Sequence, residues 1–351
     1  MHLLSLRLRH FRNYGEELFS LSPGANLFIG DNAQGKTNLL EAVYLLITGR
    51  SFRTRTLPDL IQQGEETLFV EAHFEKHTLS QSLTFALSKT EKRLLHNGTP
   101  LTSPLGLLRG VLLSPEDRAL ITGSPALRRR YLDLQLAQID PLYVRALSRY
   151  TRALKHRNQL LRSHCHATLD TWEAYLAKEA ATLTAIRSRA VPLLAAPFQE
   201  NHTLLTGGDD RVTLTYQPTL TSDPRENALA YAKARPRELL MGHTLIGPHR
   251  DDLLITIAGK EARHFGSEGQ KMSCTASLKL AEWDHLNSRS EEKPLLLVDD
   301  IGLGLDRQRK GRLLDLIEER GQLLITSPEV LPVSGAIYSI RSGRLDQPAH
   351  L

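Results

Sequence analysis

The stretch from Gly30 to Thr37, which reads G-D-N-A-Q-G-K-T, constrains the fold and chemistry of this chain more than any other. It matches the pattern G-x-x-x-x-G-K-[ST], in which successive backbone N–H groups surround a phosphate chain. The apolar residues 25–29 predict a buried strand before the loop, and residues 38–47 predict a helix after it. Because a helix start adds partial positive charge to those N–H groups, the segment is predicted to bind a nucleoside triphosphate. The alternative is a glycine turn that carries a lysine by coincidence.

Two side chains of this P-loop are predicted to act directly on the nucleotide. Lys36 is expected to reach the β- and γ-phosphates, which makes it a catalytic candidate. The hydroxyl of Thr37 is expected to ligate Mg²⁺. The predicted nucleotide-binding residues of the loop are Gly30, Asp31, Asn32, Ala33, Gln34, Gly35, Lys36 and Thr37.

A second motif lies far along the chain, where the apolar residues 295–298 are followed by Asp299 and Asp300. This Walker B pattern places carboxylates at the carboxyl end of a buried strand, where α/β sheets bind their ligands. Asp299 is predicted to hold Mg²⁺ through its water shell, since Mg²⁺ takes few carboxylates. Asp300 is the candidate catalytic residue that orients or polarises the attacking water. The alternative is a strand that simply ends in two solvent-facing acids.

A third motif, Ser267-Glu268-Gly269-Gln270, precedes a predicted helix that spans residues 267–287. Small residues at a helix start form a potential second anion site. Many helices begin with Ser-x-Gly, so the motif alone is weakly specific. Its position shortly before the Walker B strand makes Ser267, Gly269 and Gln270 candidates for nucleotide binding.

Composition excludes several broad classes of protein. The chain has 351 residues, of which 41% are hydrophobic and 24% charged, as in a globular protein with one large domain or two smaller ones. No apolar run approaches the roughly 18–20 residues of a membrane span. Cys165 and Cys274 are far apart and match no C-x-x-C spacing, so a reducing, cytoplasmic location is expected. The net charge of +5 indicates an anionic partner besides the nucleotide.

Hydrophobic periodicity divides the chain into three parts. Alternating segments predict strands that frame the P-loop, at residues 3–9, 16–21, 25–29, 67–75 and 82–88. Between residues 126 and 196 a helical period predicts two antiparallel helices, each roughly 25 Å long, with a turn at 163–168. Residues 198–235 are rich in Gly and Pro and predict loops, although residues 211–216 alternate and could form a strand. The predicted domains are residues 1–125, 126–238 and 239–351.

The predicted helical arm carries a basic face. Residues 126–163 contain nine Arg and Lys but only two acids. Arg145, Arg149 and Arg152 recur at helical spacing, offset by about 200° from the apolar stripe that begins at Tyr143. One face can therefore pack while the other meets DNA phosphates, independently of base sequence. The alternative is an ordinary solvated face, although such faces usually intersperse acids.

Two further charged clusters have less specific patterns. Arg128, Arg129 and Arg130 could contact DNA or nucleotide, or form ion pairs within the fold, and the sequence leaves both interpretations open. Residues 249–252, His-Arg-Asp-Asp, have the residue types of a catalytic site. Their position before an alternating segment favours a structured loop at the start of a strand.

The order of these motifs resembles that of one group of ATPases. A P-loop, a helical insertion, an S-x-G-Q signature and a Walker B strand follow one another in the ABC, SMC and RecF types. Asn32 favours the SMC/RecF branch, and the short arm excludes the long coiled coils of SMC proteins. Further stretches are similar to the RecF family in particular, namely Phe11–Tyr14, Thr37–Leu46, Ser51–Arg53, Ser114–Asp117, Gly123–Asp133, Gly247–Asp252 and Phe265–Gln270.

The resemblance implies an α/β fold, an ABC/SMC-type ATPase head with mixed sheets around a P-loop helix, plus a short helical arm domain. It implies an ATP- and Mg²⁺-dependent DNA-binding protein of recombinational repair, which acts at gapped or single-strand/double-strand junction DNA and hydrolyses ATP slowly. It implies a head-to-head homodimer in which Ser267, Gly269 and Gln270 of one copy contact the γ-phosphate held by the other. The implied partners are RecR and, indirectly, RecO and RecA.

Three departures from the family pattern concern the rate of hydrolysis and the tightness of the dimer. Ala33 stands where the family usually has glycine, which costs on the order of 1 kcal/mol if the position needs a positive φ. Met272 stands where the signature usually has arginine, next to Lys271. Leu303 and Gly304 replace the first two residues of a usual Ser-Glu-Leu-Asp. The last two departures fall in elements that the family uses across the dimer interface.

Other functions remain open at this point. The departures favour a DNA-binding scaffold in which ATP joins two copies with little or no turnover. A small-molecule kinase with a P-loop would need neither a signature motif nor a basic arm. A transporter ATPase would couple to a membrane subunit, and the short basic arm argues against that.

Overall fold

The structure is a computed structural model that describes residues 1–164, 167–208, 210–301 and 304–346. The chain divides into two compact units. The first comprises Met1–Arg118, Leu204–Gly208 and Glu268–Leu351, and the second comprises Ala119–Thr203 and Asp209–Ser267. The division into residues 1–125, 126–238 and 239–351 stays a prediction.

The strands alternate with helices in an order typical of an α/β protein. The strands are β1 His2–Phe11, β2 Tyr14–Ser20, β3 Ala25–Ile29, β4 Thr67–Lys76, β5 Leu79–Ser88, β6 Lys92–His96, β7 Thr99–Pro100, β8 Gly110–Leu113, β9 Val212–Gln217, β10 Asp252–Ile257, β11 Lys260–Glu261, β12 Leu295–Val298, β13 Leu323–Ser327, β14 Gly335–Arg341 and β15 Arg344–Asp346. The helices are α1 Lys36–Thr48, α2 Ala119–Thr122, α3 Pro125–Ile139, α4 Pro141–Arg162, α5 Leu169–Thr206, α6 Pro224–Met241, α7 Ala262–Phe265, α8 Glu268–Ser288 and α9 Arg307–Glu318.

Two six-stranded sheets form the first unit. One is antiparallel, with the strand order β2-β1-β4-β5-β6-β7. The other has the order β15-β14-β3-β13-β12-β8 and is parallel except for its β14–β15 edge. Because the parallel strands β3, β12, β13 and β8 end at one edge, the loops that follow them lie close together.

Helix α1, which follows the P-loop, contacts strands of both sheets. Its buried apolar side chains cover most of its circumference and include Leu39, Leu40, Val43, Leu46 and Ile47. A helix that is apolar nearly all round is typical of a position enclosed by two layers. These side chains join those of both sheets in a single core, as the predicted α/β head requires.

Helices α4 and α5 in the second unit form the predicted antiparallel pair. Tyr143 near the start of α4 contacts Arg187 of α5, whereas Arg157 near the end of α4 contacts Glu173. The contacts therefore run in opposite directions along the two helices. With 22 and 38 residues, the helices are about 33 and 57 Å long at a rise of 1.5 Å per residue, so both exceed the predicted length.

The prediction of loops across residues 198–235 is wrong in two places. Helix α5 continues into this range although it contains Pro192 and Pro197, and Phe198 and Leu205 are buried. Helix α6 also begins within the range, with a proline at its start. Packing of these buried faces outweighs the helix breakers that the sequence contains.

A three-stranded antiparallel sheet, β11-β10-β9, completes the second unit. Its central strand β10 pairs with β9 over six residue pairs. None of the helices in the described part of the chain is both long enough and apolar enough to cross a membrane.

Candidate nucleotide-binding site

The P-loop joins β3 to α1 through two glycines that no larger residue could replace without strain. Gly35 has a φ of +118°, and a Cβ atom there would lie 2.8 Å from the side-chain amide of Asn13. Gly30 has a φ of +151°, and a Cβ atom there would lie 2.4 Å from the carbonyl oxygen of Ile340. Both glycines of the predicted motif are therefore required on steric grounds.

The ammonium group of Lys36 lies across the loop. Its Nζ donates to the carbonyl oxygens of Gly30 at 2.6 Å and Asp31 at 2.8 Å, and the residue is buried. Neutral carbonyl oxygens are weaker partners for an ammonium group than charged phosphate oxygens. The amino group is thus held where a phosphate can compete for it.

Side chains from other parts of the sequence brace the loop. Asn13 Nδ2 donates to the carbonyl oxygen of Gln34 at 2.9 Å, and the Tyr14 hydroxyl donates to that of Gly35 at 2.9 Å. Asn38 Nδ2 donates to Asn13 Oδ1 at 2.8 Å. These contacts hold the loop in shape and give a physical reason for the Arg-Asn-Tyr segment that resembles the family.

A buried carboxylate of α1 holds side chains from two other segments beside the P-loop helix. Glu41 is fully buried and accepts two hydrogen bonds from Arg12, at 2.8 and 2.9 Å, and one from the Ser51 hydroxyl. Arg53 Nη1 donates to Asn38 Oδ1 at 2.7 Å, while its side chain stays 41% exposed. Arg53 therefore brings a cation beside the P-loop helix. The stretch Ser51–Arg53 resembles the family, but its contact with Asn38 could not be predicted because it depends on how the chain packs.

The Walker B strand meets the P-loop helix directly. Thr37 Oγ1 donates to Asp299 Oδ1 at 2.9 Å, and Thr326 Oγ1 donates to the same oxygen at 2.7 Å. Asp299 is 5% exposed. The two predicted Mg²⁺ ligands, which are far apart in the sequence, are therefore in contact.

Burial raises the pKa of the Asp299 carboxyl, and the negative charge of Asp300 adds to the increase. The hydrogen bonds from Thr326 and Thr37 act in the opposite direction. A cation near this carboxylate would offset the cost of keeping it ionised. Asp300 is partly exposed, has a φ of +48°, and its N–H donates to Thr326 Oγ1 at 3.0 Å.

The signature segment is accessible at the start of α8. Ser267 and Glu268 are exposed, and Gly269 and Gln270 are partly exposed. Within the helix, the carbonyl oxygen of Gly269 accepts a hydrogen bond from the Ser273 hydroxyl at 3.0 Å. A second molecule can therefore reach the residues that were predicted to contact a nucleotide.

A cation that belongs to none of the predicted motifs lies beside this segment. Arg309 Nη1 is 3.4 Å from the Ser273 hydroxyl and 3.4 Å from the place that a Cβ atom would take on Gly269. Asp306 lies 3.4 Å from the Arg309 Nε and restrains the guanidinium. Helix α9 thus supplies positive charge next to the signature, although residue 272 is methionine.

Two of the departures from the family pattern contact each other. Gly304 has a φ of +85°, and a Cβ atom there would lie 3.0 Å from Cγ of Met272. The adjacent Leu303 lies outside the described residues. Because a side chain at position 304 would meet Met272, the two departures belong to one packing arrangement.

The third departure is Ala33, which has a φ of +65°. An alanine in this left-handed conformation is strained by about 1–2 kcal/mol relative to glycine. Replacing it by glycine adds roughly 0.4–1 kcal/mol of freedom to the unfolded chain. We expect Ala33→Gly to raise the melting temperature in calorimetry by up to roughly 2 °C, since relief of strain exceeds the entropic loss.

A matched control for this substitution is Ala174→Gly, at an exposed position within α5. There the change should lower stability by about 1 kcal/mol, because the helical conformation suits alanine better than glycine. Equal losses at both positions would contradict the strain assigned to Ala33.

The contacts of the arginine run favour one of the two interpretations left open. Arg128 is buried and makes a two-pronged ion pair with Asp252, at 2.7 and 2.8 Å. Arg129 Nη1 donates to the carbonyl oxygen of Asp251 at 2.8 Å, and the Asp251 carboxylate accepts from Arg187 at 2.9 Å. Both arginines thus connect elements inside the second unit. The His-Arg-Asp-Asp segment serves as a structured loop, as predicted.

Comparisons with known proteins agree with this geometry. The family model described as the RecF/RecN/SMC N terminal domain matches residues 2–336. The chain is 44% identical over 339 residues to the DNA replication and repair protein RecF of Protochlamydia amoebophila (strain UWE25), with 94% of each chain covered. It is 39% identical over 364 residues to the protein of the same name from Chlamydia caviae, with 100% of this chain and 99% of the other covered.

A solved structure is similar over the same length. The recombination mediator protein RecF in its ATP complex superposes with a TM-score of 0.92 at 29% identity, covering 99% of this chain and 98% of that one. The predicted resemblance and the predicted ATPase-head fold are both confirmed. The chain belongs to the RecF family, within the RecF/RecN/SMC group of ATPase heads.

Proposed function

We propose that this protein binds ATP and DNA in recombinational repair. The observation that carries the nucleotide part of the proposal is the contact between Thr37 of the P-loop helix and Asp299 of the buried strand. A solved relative is described as a recombination mediator with ATP in the RecFOR pathway. The braced P-loop of this chain supports the same use of ATP.

The residues present fit a triphosphate with Mg²⁺. Gly30 and Gly35 allow the loop a backbone conformation that a Cβ atom would prevent, and Lys36 supplies a positive charge for the β- and γ-phosphates. The Thr37 hydroxyl and the Asp299 carboxylate are oxygen ligands of the kind that Mg²⁺ prefers. When bound, Mg²⁺ neutralises charge on the phosphates.

Two copies complete each nucleotide site in this proposal. Ser267, Gly269 and Gln270 are accessible at a helix start, where N–H groups and the helix dipole favour an anion. Arg309 adds a nearby positive charge. The γ-phosphate held by the P-loop of a second copy is the proposed anion, so ATP joins the two copies.

The proposed DNA substrate is gapped or double-stranded and is bound without sequence specificity. RecR is the proposed direct partner, and RecO and RecA are reached indirectly when recombinase is loaded. The proposed location is the cytoplasm. The basic face of α4 supports the DNA part of this proposal, and the repair names of the relatives support the partners.

Analytical ultracentrifugation tests the two-copy site. The protein alone should sediment as a monomer, ATP should produce a weak dimer, and ATP with gapped DNA should produce more of it. The dimer should be weak because Met272 and Gly304 depart from the family in interface elements. A monomer that persists with saturating ATP and gapped DNA would contradict the proposal.

Turnover separates a slow ATPase from a scaffold that binds ATP without hydrolysing it. Asp300→Asn should slow hydrolysis but keep the ATP-joined dimer, because an amide cannot accept a proton from water. The measurement is phosphate release with gapped DNA. Equal, near-background release from wild type and variant would favour the scaffold, which the departures from the family pattern at Met272 and Gly304 also favour.

The arm presents its arginines as the DNA proposal requires. Arg145, Arg149 and Arg152 are exposed on α4, while Tyr150 on the same helix is buried. Arg149 also lies 3.7 Å from Glu179, an ion pair with one exposed partner that phosphate could replace. The exposed face is available to an extended polyanion.

Changing Arg145, Arg149 and Arg152 together to glutamate should lower affinity for duplex DNA at least roughly tenfold at low salt. It should also reduce the slope of log affinity against log salt by up to about 3, because three fewer counterions are released. Fluorescence anisotropy across a salt series measures both quantities.

The charge-matched control changes Lys89, Lys260 and Lys293, all exposed and outside the arm helices, to glutamate. It produces the same change in net charge. If both triple variants lose affinity equally, the effect comes from overall charge and the arm has no special role in DNA binding.

A further inference from the structure

A row of four side chains crosses the outer face of the antiparallel sheet. The register pairs Arg9 of β1 with Phe69 of β4, Phe69 with Ala86 of β5, and Ala86 with Arg93 of β6. Neighbouring strands lie roughly 4.8 Å apart, so the backbones of the two arginines are about 14 Å apart. An aromatic ring therefore stands between two cations on one line across the sheet.

The short side chain of Ala86 leaves a hollow beside the ring. The hollow is bounded by Phe69 on one side and Arg93 on the other, and Arg7 and Thr67 also line it. Phe69 and Ala86 are partly exposed, unlike the alternate residues of these strands, which enter the core. An aromatic side chain on the solvent face of a sheet, next to an open hollow, can take a second planar ring.

The charges around the hollow favour an anion. Arg7 forms an exposed ion pair with Glu16, and Arg93 forms one with Glu91 at 2.8 Å. Exposed pairs of this kind exchange readily for other partners. Arg9 adds a third cation, exposed on β1 two residues after Arg7. Along a strand, two residues span roughly 6.7 Å, so these two guanidinium groups can follow successive charges of an extended chain.

We propose that this face binds single-stranded nucleic acid, with one base stacked on Phe69 over Ala86 and the backbone phosphates on Arg7, Arg9 and Arg93. Aromatic platforms flanked by cations bind single strands with little sequence preference because every base offers a flat face. A duplex offers no free base to such a hollow, since its bases are stacked and paired.

The inference adds a second DNA surface to the proposed function and rests on that function for its use. The arm of the second unit would take duplex, and the sheet of the first unit would take the single strand. Each unit would then hold one of the two forms of DNA that meet at a gap. The two surfaces can be tested separately because they share no residue.

The test uses the full-length protein and two labelled probes, an oligothymidylate strand and a blunt duplex of equal length. Anisotropy should show that Phe69→Leu, which keeps an apolar group but removes the ring, lowers single-strand affinity roughly 5- to 150-fold. Phe69→Tyr should retain it. The pair Arg9→Glu and Arg93→Glu should lower it, whereas His73→Ala on the same face and Lys89→Glu in the next turn should not.

Four results would overturn the inference. Single-strand affinity could be unchanged in Phe69→Leu, or duplex affinity could fall by the same factor. A glutamate-rich peptide could bind the row in preference to the oligonucleotide. Finally, the wild type could bind neither probe, in which case the proposed DNA function fails as well. Unchanged melting temperatures in all variants show that the fold is intact.

Discussion

A Lys36→Met variant should bind ATP roughly 30- to 3,000-fold more weakly than the wild type. The ammonium group is buried and lies across the P-loop, against the carbonyl oxygens of Gly30 and Asp31. Removing a desolvated charge that pairs with phosphate costs about 2–5 kcal/mol, and each 1.4 kcal/mol is about tenfold in affinity. Isothermal calorimetry with Mg²⁺ and ATP measures the loss. The ATP-dependent dimer should disappear with it, since in the proposed two-copy site ATP joins the two copies.

Lys76→Met is a closely matched control for this change. Its Nζ donates to the carbonyl oxygens of Gly106 at 3.2 Å and Leu107 at 3.1 Å. Lys76 is the last residue of β4 and belongs to the same unit as Lys36. The control removes a lysine that bridges two carbonyl groups, as Lys36 does, without touching the P-loop. Similar ATP affinity in the Lys36 variant and this control would show that the P-loop lysine does not contact the nucleotide.

An Arg187→Met variant should lose about 3–5 kcal/mol of stability, which lowers the melting temperature of the full chain by about 4–7 °C. Arg187 is 1% exposed and donates to Asp133 at 2.8 Å, Asp251 at 2.9 Å, and the carbonyl oxygen of Pro248 at 2.8 Å. Its Nε also donates to the Tyr143 hydroxyl at 2.9 Å. The substitution leaves two carboxylates without their main cation inside the protein. Differential scanning calorimetry of the full chain measures the loss.

The control for this stability loss is Arg152→Met on the exposed face of α4. A surface substitution of this kind should change stability by less than about 0.5 kcal/mol. The same control separates the two roles of arginine in the arm, because it should reduce DNA affinity slightly and leave stability unchanged. A small loss for Arg187→Met would mean that the buried contacts contribute little.

The nucleotide site could be predicted from the sequence where its chemistry is local. The loop from Gly30 to Thr37 and the strand that ends at Asp299 each carry their pattern in a few consecutive residues. Their contact could be expected because parallel strands end at one edge of a sheet. The roles of Asn13 and Arg53 could not, since each depends on which distant backbone or side chain it meets.

For the same reason, the number of charged residues in the arm predicts its exposed charge poorly. Nine Arg and Lys lie between residues 126 and 163, yet Arg128 and Arg157 are buried. Arg157 pairs with Glu173 at 2.8 Å and with Glu238 at 2.6 Å, residues well separated from it in the chain. A sequence pattern predicts which residues share one face of a helix. It does not show which cation forms an ion pair with a buried acid from another segment. Only the exposed arginines are accessible to the phosphates of the proposed DNA partner.

The contact between Met272 and Gly304 makes these two positions epistatic. With a φ of +85°, position 304 already disfavours any side chain, and a Cβ atom there would lie 3.0 Å from the methionine. A glutamate at 304, which is usual in the family, would force Met272 to move. An arginine at 272 alone would lie next to Gly304, which has no carboxylate to pair with its charge. Each exchange made alone therefore has a cost, and a variant that carries the usual residues at both positions is best made by exchanging them together.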